Sequence, residues 1–172
     1  MATTRTANRP VVSWLFIASG VLFLLDILLA YVAPHLRGSW IAFLADLAFG
    51  AALLLLFLGR TASLILRGAY IVGAIGWILL AIGQLVDLGS AVSNVALVLV
   101  ILGTLVAGIV GFMRHVWGRN ADLAFLIVSI LVALEFLDGL HPFLTSILRT
   151  IISIVFAVLL IVTGYFLLRR RR

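Results

Sequence analysis

The sequence predicts an all-α membrane protein, a polytopic bundle of six transmembrane helices built as three consecutive helical hairpins with both termini in the cytoplasm. Three observations predict it. Of 172 residues, 65% are hydrophobic and only 10% charged, and mean hydropathy is +1.35, whereas soluble domains carry about 25% charged residues. The apolar residues fall into six stretches with little between them, each near the roughly 20 residues a helix needs to cross about 30 Å of hydrocarbon. None alternates in strict two-residue steps, which argues against a membrane β-barrel with lumen-facing polar residues. Helices, by contrast, satisfy their own backbone groups where water is missing.

The elements follow in order. Residues 1–10 form a cytoplasmic tail, 11–168 the membrane domain and 169–172 a cytoplasmic basic tail. The first helix, 11–33, follows Arg5 and Arg9 and so imitates a signal peptide. Its apolar run is too long for one, contains Asp26 and lacks a small-residue cleavage pattern. A turn from Ala33 to Ser39, with Pro34, His35 and Arg37, leads into the second helix, 40–59, which carries Asp46. The third, 63–88, has Ala69, Gly76 and Gly83 at seven-residue intervals and Gln84 and Asp87 near its end. The fourth, 91–113, has Gly103, Ala107 and Gly111 at four-residue intervals. The fifth, 121–140, ends with Glu135 and Asp138, and after His141-Pro142 the sixth, 143–168, carries Arg149 and runs into Arg169, Arg170, Arg171 and Arg172.

Arginine fixes the expected orientation, because basic residues flanking membrane segments stay in the cytoplasm. With the amino terminus inside, Arg5, Arg9, Arg60, Arg67, Arg114, Arg119 and the four terminal arginines lie inside, and only Arg37 and Arg149 fall toward the other face. The expected location is therefore the cell (inner) membrane. Trp14, Tyr70, Trp117 and Tyr165 are expected at the inner boundary, Tyr31 and Trp40 at the outer one, and Trp77 deeper, in packing. The triplets Leu24-Leu25-Asp26, Leu85-Val86-Asp87 and Phe136-Leu137-Asp138 before the three outer turns suggest a duplicated hairpin.

Charge within the bilayer costs about 2.5–3.5 kcal/mol per residue on insertion scales, so it demands a partner or a function. At about 1.5 Å of rise per residue, Asp26 lies some 6 Å outward of the midplane, with Asp46 and Arg149 at a similar depth. One cation then meets two carboxylates. The cluster reads either as a salt bridge that docks the first hairpin on the third or as a proton or cation site. Glu135, Asp138 and His141 share a helical face, with His35 at the same level; they are weak metal candidates, and solvated groups at a helix end are the plainer reading. Asp87 reads as hydrated at the interface, Gln84 as able to hydrogen-bond to a neighbouring helix, and His115 as a headgroup contact beside Arg114.

The small-residue series on helices three and four make smooth faces. They serve either as the seam between those two helices or as the interface of a homo-oligomer or larger membrane complex. Lipid is the expected partner throughout, with anionic headgroups at Arg169, Arg170, Arg171 and Arg172 at about 1 kcal/mol per charge; nucleic acid is not expected. The chain has no cysteine and no lysine, which excludes disulfides, thiolate sites and a Schiff-base retinal protein. It also lacks the metalloprotease, hydrolase, phosphate-loop and dinucleotide motifs, so neither an enzyme nor a cofactor is expected.

Gly20 followed by Pro34 and Gly50, the Gly73 and Gly76 pair, and Pro142 followed by Gly164 give the chain a pattern that resembles the HdeD-type bacterial membrane proteins associated with acid resistance. That resemblance implies a role in envelope stress and carries over no catalytic residue. The leading expectation is a small non-enzymatic membrane protein, acting in envelope stress or as an accessory or scaffold subunit. The alternative is a proton-coupled transporter or cation channel that uses Asp26 and Asp46 with Arg149.

Overall fold

The computed structural model describes residues 9–34, 39–59, 63–140 and 142–169. Each apolar stretch is a helix: α1 Arg9–Val32, α2 Ser39–Leu58, α3 Leu64–Gly83, α4 Gly89–Arg114, α5 Arg119–Leu140 and α6 Ser146–Arg169. All six are long and apolar enough to cross a membrane. Short connections make successive helices antiparallel neighbours, and α6 packs back onto α1, closing a ring in which each helix touches two others. One end of the ring carries the α1–α2, α3–α4 and α5–α6 connections and is called the turn end below. The other carries the beginning of α1 and the end of α6 and is called the terminal end.

A ring of six helices spaced at about 8–10 Å leaves a central space about as wide as another helix. Aliphatic side chains alone fill that space poorly; aromatic rings fill it here. Phe16 and Phe23 of α1, Phe49 of α2, Tyr70 and Trp77 of α3, Trp117, Phe125 and Phe136 around α5, and Phe156 of α6 meet across the axis. The Phe49 and Trp77 centroids are 4.6 Å apart and edge-on, the arrangement that ring quadrupoles favour. Trp77 also donates from Nε1 to Thr104 Oγ1 at 3.4 Å, so its one polar atom is satisfied in the middle of the span. Outward faces carry exposed aliphatics on every helix, among them Val21, Leu44, Ile75, Leu102, Ile130 and Val158, as a hydrocarbon solvent requires.

Small residues set the seams between neighbours. A Cβ on Gly20 would strike the Ala157 carbonyl, and one on Gly164 the Ser13 carbonyl, so α1 and α6 approach backbone to backbone at two levels. Between α3 and α4 the same holds for Gly76 against Val100 and for Gly103 against Gly73 and Ala69. Such approach supplies the dispersion contact on which helix association in lipid depends.

Two helix ends depart from expectation. Helix α3 stops at Gly83, not at 88, and Gln84 and Asp87 lie in the connection, where Asp87 accepts from the Gly89 amide at 2.9 Å and so starts α4. Helix α6 begins at Ser146, not at 143, because the Phe143 and Leu144 amides are taken by Asp138 (2.7 and 2.6 Å). Thr145 then caps α6 by accepting from Leu148. The three acidic triplets are not equivalent: Asp26 lies inside α1, Asp138 in the last turn of α5 and Asp87 beyond the end of α3.

Candidate functional site

At the turn end the aromatic filling stops short of the surface, and a cavity of about 530 Å³ opens above it. All six helices or their ends contribute. Its walls hold Asp26 from α1, Asp46 from α2, Gln84 from the α3 terminus, Leu97 from α4, Glu135 from α5 and Arg149 with Ser153 from α6. The floor is Phe23, Trp77, Phe136 and Phe156, of which Phe23 and Phe156 are 5.1 Å apart, edge to face. Helical spacing accounts for this two-tier lining, since Phe23 and Asp26 on α1, and Ser153 and Phe156 on α6, sit one turn apart on the same face.

Asp46 and Glu135 are held differently. Asp46 is 5% exposed, accepts from Gln84 Nε2 at 3.3 Å and feels the charges of Asp26 and Glu135. Glu135 accepts from the Ser153 hydroxyl, a bond that ties α5 to α6. Arg149 also lines the cavity, but its guanidinium is ion-paired with Asp138, donating from Nε to Oδ2 at 2.7 Å. The sequence had Arg149 answering Asp26 and Asp46; all three line this cavity, and the correction concerns Asp46, which Gln84 holds while Asp138 engages the arginine across the tight α5–α6 turn. Among the described lining residues, acids therefore outnumber cations.

Several other expectations are revised. Asp138 is no solvated helix-end group: it is 1% exposed and spends its oxygens on two backbone amides and Arg149. Glu135 points into the cavity instead of forming a metal face with Asp138, and among the described residues no cluster of three or more His, Cys, Asp or Glu is close enough to hold a metal. His35 and His141 lie outside the described residues. Tyr70 and Trp117 face inward: both are buried and stacked on one another, with planes 4° apart. Trp14, Tyr165, Tyr31 and Trp40 are exposed on the outside of the ring, and Trp77 is buried.

The smooth faces are occupied within the chain. Ala69, Gly76, Gly103 and Ala107 are buried, and the first three lie directly in the α3–α4 contact. Gly111 has open space beside its Cα, and Gly83 meets only the Leu88 side chain. Arg169 lines a second cavity, about 430 Å³, at the terminal end with Trp117, Arg119, Asn120 and Phe166; Arg170, Arg171 and Arg172 lie outside the described residues. Near that end Asp122, which the sequence reading did not single out, is buried and accepts from the Trp117 amide at 2.9 Å. An acid in the first turn of a helix, shortly after Gly118, is the local signal for such a cap.

Sequence reasoning also missed Glu135 as a cavity carboxylate, Ser153 as its donor, and the aromatic floor. An ionisable residue inside the apolar run Leu131 to Leu137 was the available signal for the first. The chain matches no family model, no curated protein and no solved structure, so its function is inferred from the cavity.

Proposed function

We propose that this chain is a multi-pass protein of the cell (inner) membrane, with both termini in the cytoplasm, that binds a cation in the turn-end cavity as the substrate-binding step of a carrier. The supporting observation is the cavity itself: carboxylates from α1, α2 and α5 face one space built by all six helices, and among the described residues the only cation in its lining is engaged by a fourth carboxylate. Intramembrane acids that face an aqueous space are a usual mark of ion and substrate pathways. The aromatic filling between the cavity and the terminal end favours a carrier over an open channel. Under the arginine distribution the cavity opens away from the cytoplasm.

The accessory-subunit reading loses support, since its strongest residues, Gly76 and Gly103, are covered by the chain's own helices. The resemblance to HdeD-type proteins supplies no site residue and bears only on the setting, envelope stress.

Proteoliposomes containing a pH-sensitive dye test the proposal. Sodium, potassium, magnesium and a set of organic amines are added outside in turn. At least one is expected to give uptake or a coupled proton signal above protein-free vesicles, lost in Asp46→Asn and kept in Arg114→Gln. No response to any cation, or an undiminished response in Asp46→Asn, would overturn it.

A further inference from the structure

Resting on the reading of the cavity as a cation site, we infer that its ligand is an organic ammonium ion with an apolar, preferably aromatic, body. The charged head sits among Asp26, Asp46 and Glu135, and the body lies on the rings beneath them.

Four features lead there. Charge comes first: among the described residues three carboxylates line the walls, and Arg149, the one cation beside them, is paired with Asp138. Donor geometry comes second. The three acids stand on three different helices, α1, α2 and α5, so an ammonium head, with three donors on one atom, bonds to the wall it rests against and lies in the field of the others.

Third, a bare metal ion fits less well. Calcium and magnesium need several oxygens drawn in to about 2.0–2.6 Å, and among the described residues no three acidic or imidazole groups are gathered closely enough. Asp46 and Glu135 each already hold one hydrogen bond, from Gln84 and Ser153, which keeps them on separate walls. A molecular cation that spans the space does not require them to converge.

Fourth, the floor is aromatic. Phe23, Trp77, Phe136 and Phe156 present ring surface directly below the acids. Ring faces attract cations and receive apolar bodies equally well, whereas a proton or hydrated metal pathway gains nothing from them. The volume, about 530 Å³, lies within the range of roughly 300–1,000 Å³ typical of small-molecule sites.

Calorimetric titration of the full chain in lipid nanodiscs tests this, with 2-phenylethylammonium, methylammonium, 2-phenylethanol, sodium and magnesium as probes. The expected result is saturable binding of 2-phenylethylammonium, about tenfold or more tighter than methylammonium, with no saturable binding of the neutral alcohol. Asp46→Asn should weaken it about tenfold, Phe23→Leu about threefold, and Arg114→Gln not at all. Equal binding of 2-phenylethanol would overturn the inference, because the acids would then be idle. Binding of sodium or magnesium with none of the ammonium ions would overturn it too, while leaving the cation site standing; binding of no cation would remove both. The wild-type probe series alone decides among these outcomes, so a variant that misfolds does not shield the proposal.

Discussion

Asp138 uses one oxygen to hold the α5–α6 turn, through the Phe143 and Leu144 amides, and the other to hold Arg149. An Arg149 kept at its own turn leaves Asp46 and Glu135 facing the cavity with only uncharged donors bonded to them. Replacing Arg149 by Gln removes the one positive charge among the described lining residues, so cation affinity is expected to rise. The gain should be about three- to tenfold, equivalent to roughly 0.6–1.4 kcal/mol, and should shrink as salt is raised. Titration with 2-phenylethylammonium at low and high salt reads it directly; weaker binding by the variant would mean that Arg149 itself serves the ligand. Asp138→Asn should act in the opposite sense although Asp138 does not line the cavity, since an Arg149 with a weakened partner is free to answer Glu135 or Asp46. A fall in affinity without loss of secondary structure by circular dichroism is the expected reading. At this scale the sequence located Asp26, Asp46 and Arg149 at one depth but mispaired the arginine. Depth follows from counting residues, whereas pairing depends on how tightly a turn folds, and the amides that Asp138 captures carry no signal in residue order.

The six spans were legible almost residue for residue where hydrocarbon alone dictates them, as in α2 and α4. They were misjudged at two ends: α3 stops at Gly83, and α6 starts late, at Ser146, because Asp138 takes the preceding amides. The small-residue faces were legible as faces, but which neighbour covers them depends on ring closure. Their energetics separate cleanly within α3 and α4. A valine at Gly103 would meet the Gly73 backbone and the Ala69 carbonyl, and neither can move aside as a flexible side chain would. Overpacking of this kind costs about 1–3 kcal/mol. Gly68, on the same helix as Gly73, has nothing within 4 Å of its would-be Cβ, and alanine there should stabilise by about 0.5–1 kcal/mol through helix propensity alone. Thermal unfolding in one detergent should therefore rank Gly68→Ala at or above wild type and Gly103→Val well below it. Indistinguishable melting of the two variants would show that α3 and α4 are not packed at this seam.

A closed ring follows from the connections: with every link short, each helix must lie beside its successor, and the remaining freedom is whether α6 meets α1. Gly20 and Gly164 make that last contact close, and the aromatic residues then have an axis to fill. Ring closure was not legible, because contact between the first and last helices leaves no local pattern; the preference of arginine for one end was. Under the orientation proposed above, the cavity mouth lies outside the cell, and the chain's lack of cysteine makes that placement testable by single introduced thiols. In intact spheroplasts, a membrane-impermeant maleimide is expected to label Ser90→Cys at the turn end and Ser153→Cys in the cavity wall. Arg114→Cys and Arg169→Cys should react only after permeabilisation. Labelling of Ser153→Cys should slow when 2-phenylethylammonium is added, whereas Ser90→Cys, outside the cavity lining, should be indifferent to it. If Arg114→Cys reacted from outside and Ser90→Cys did not, the molecule would be inverted. The cavity would then take its cation from the cytoplasmic side.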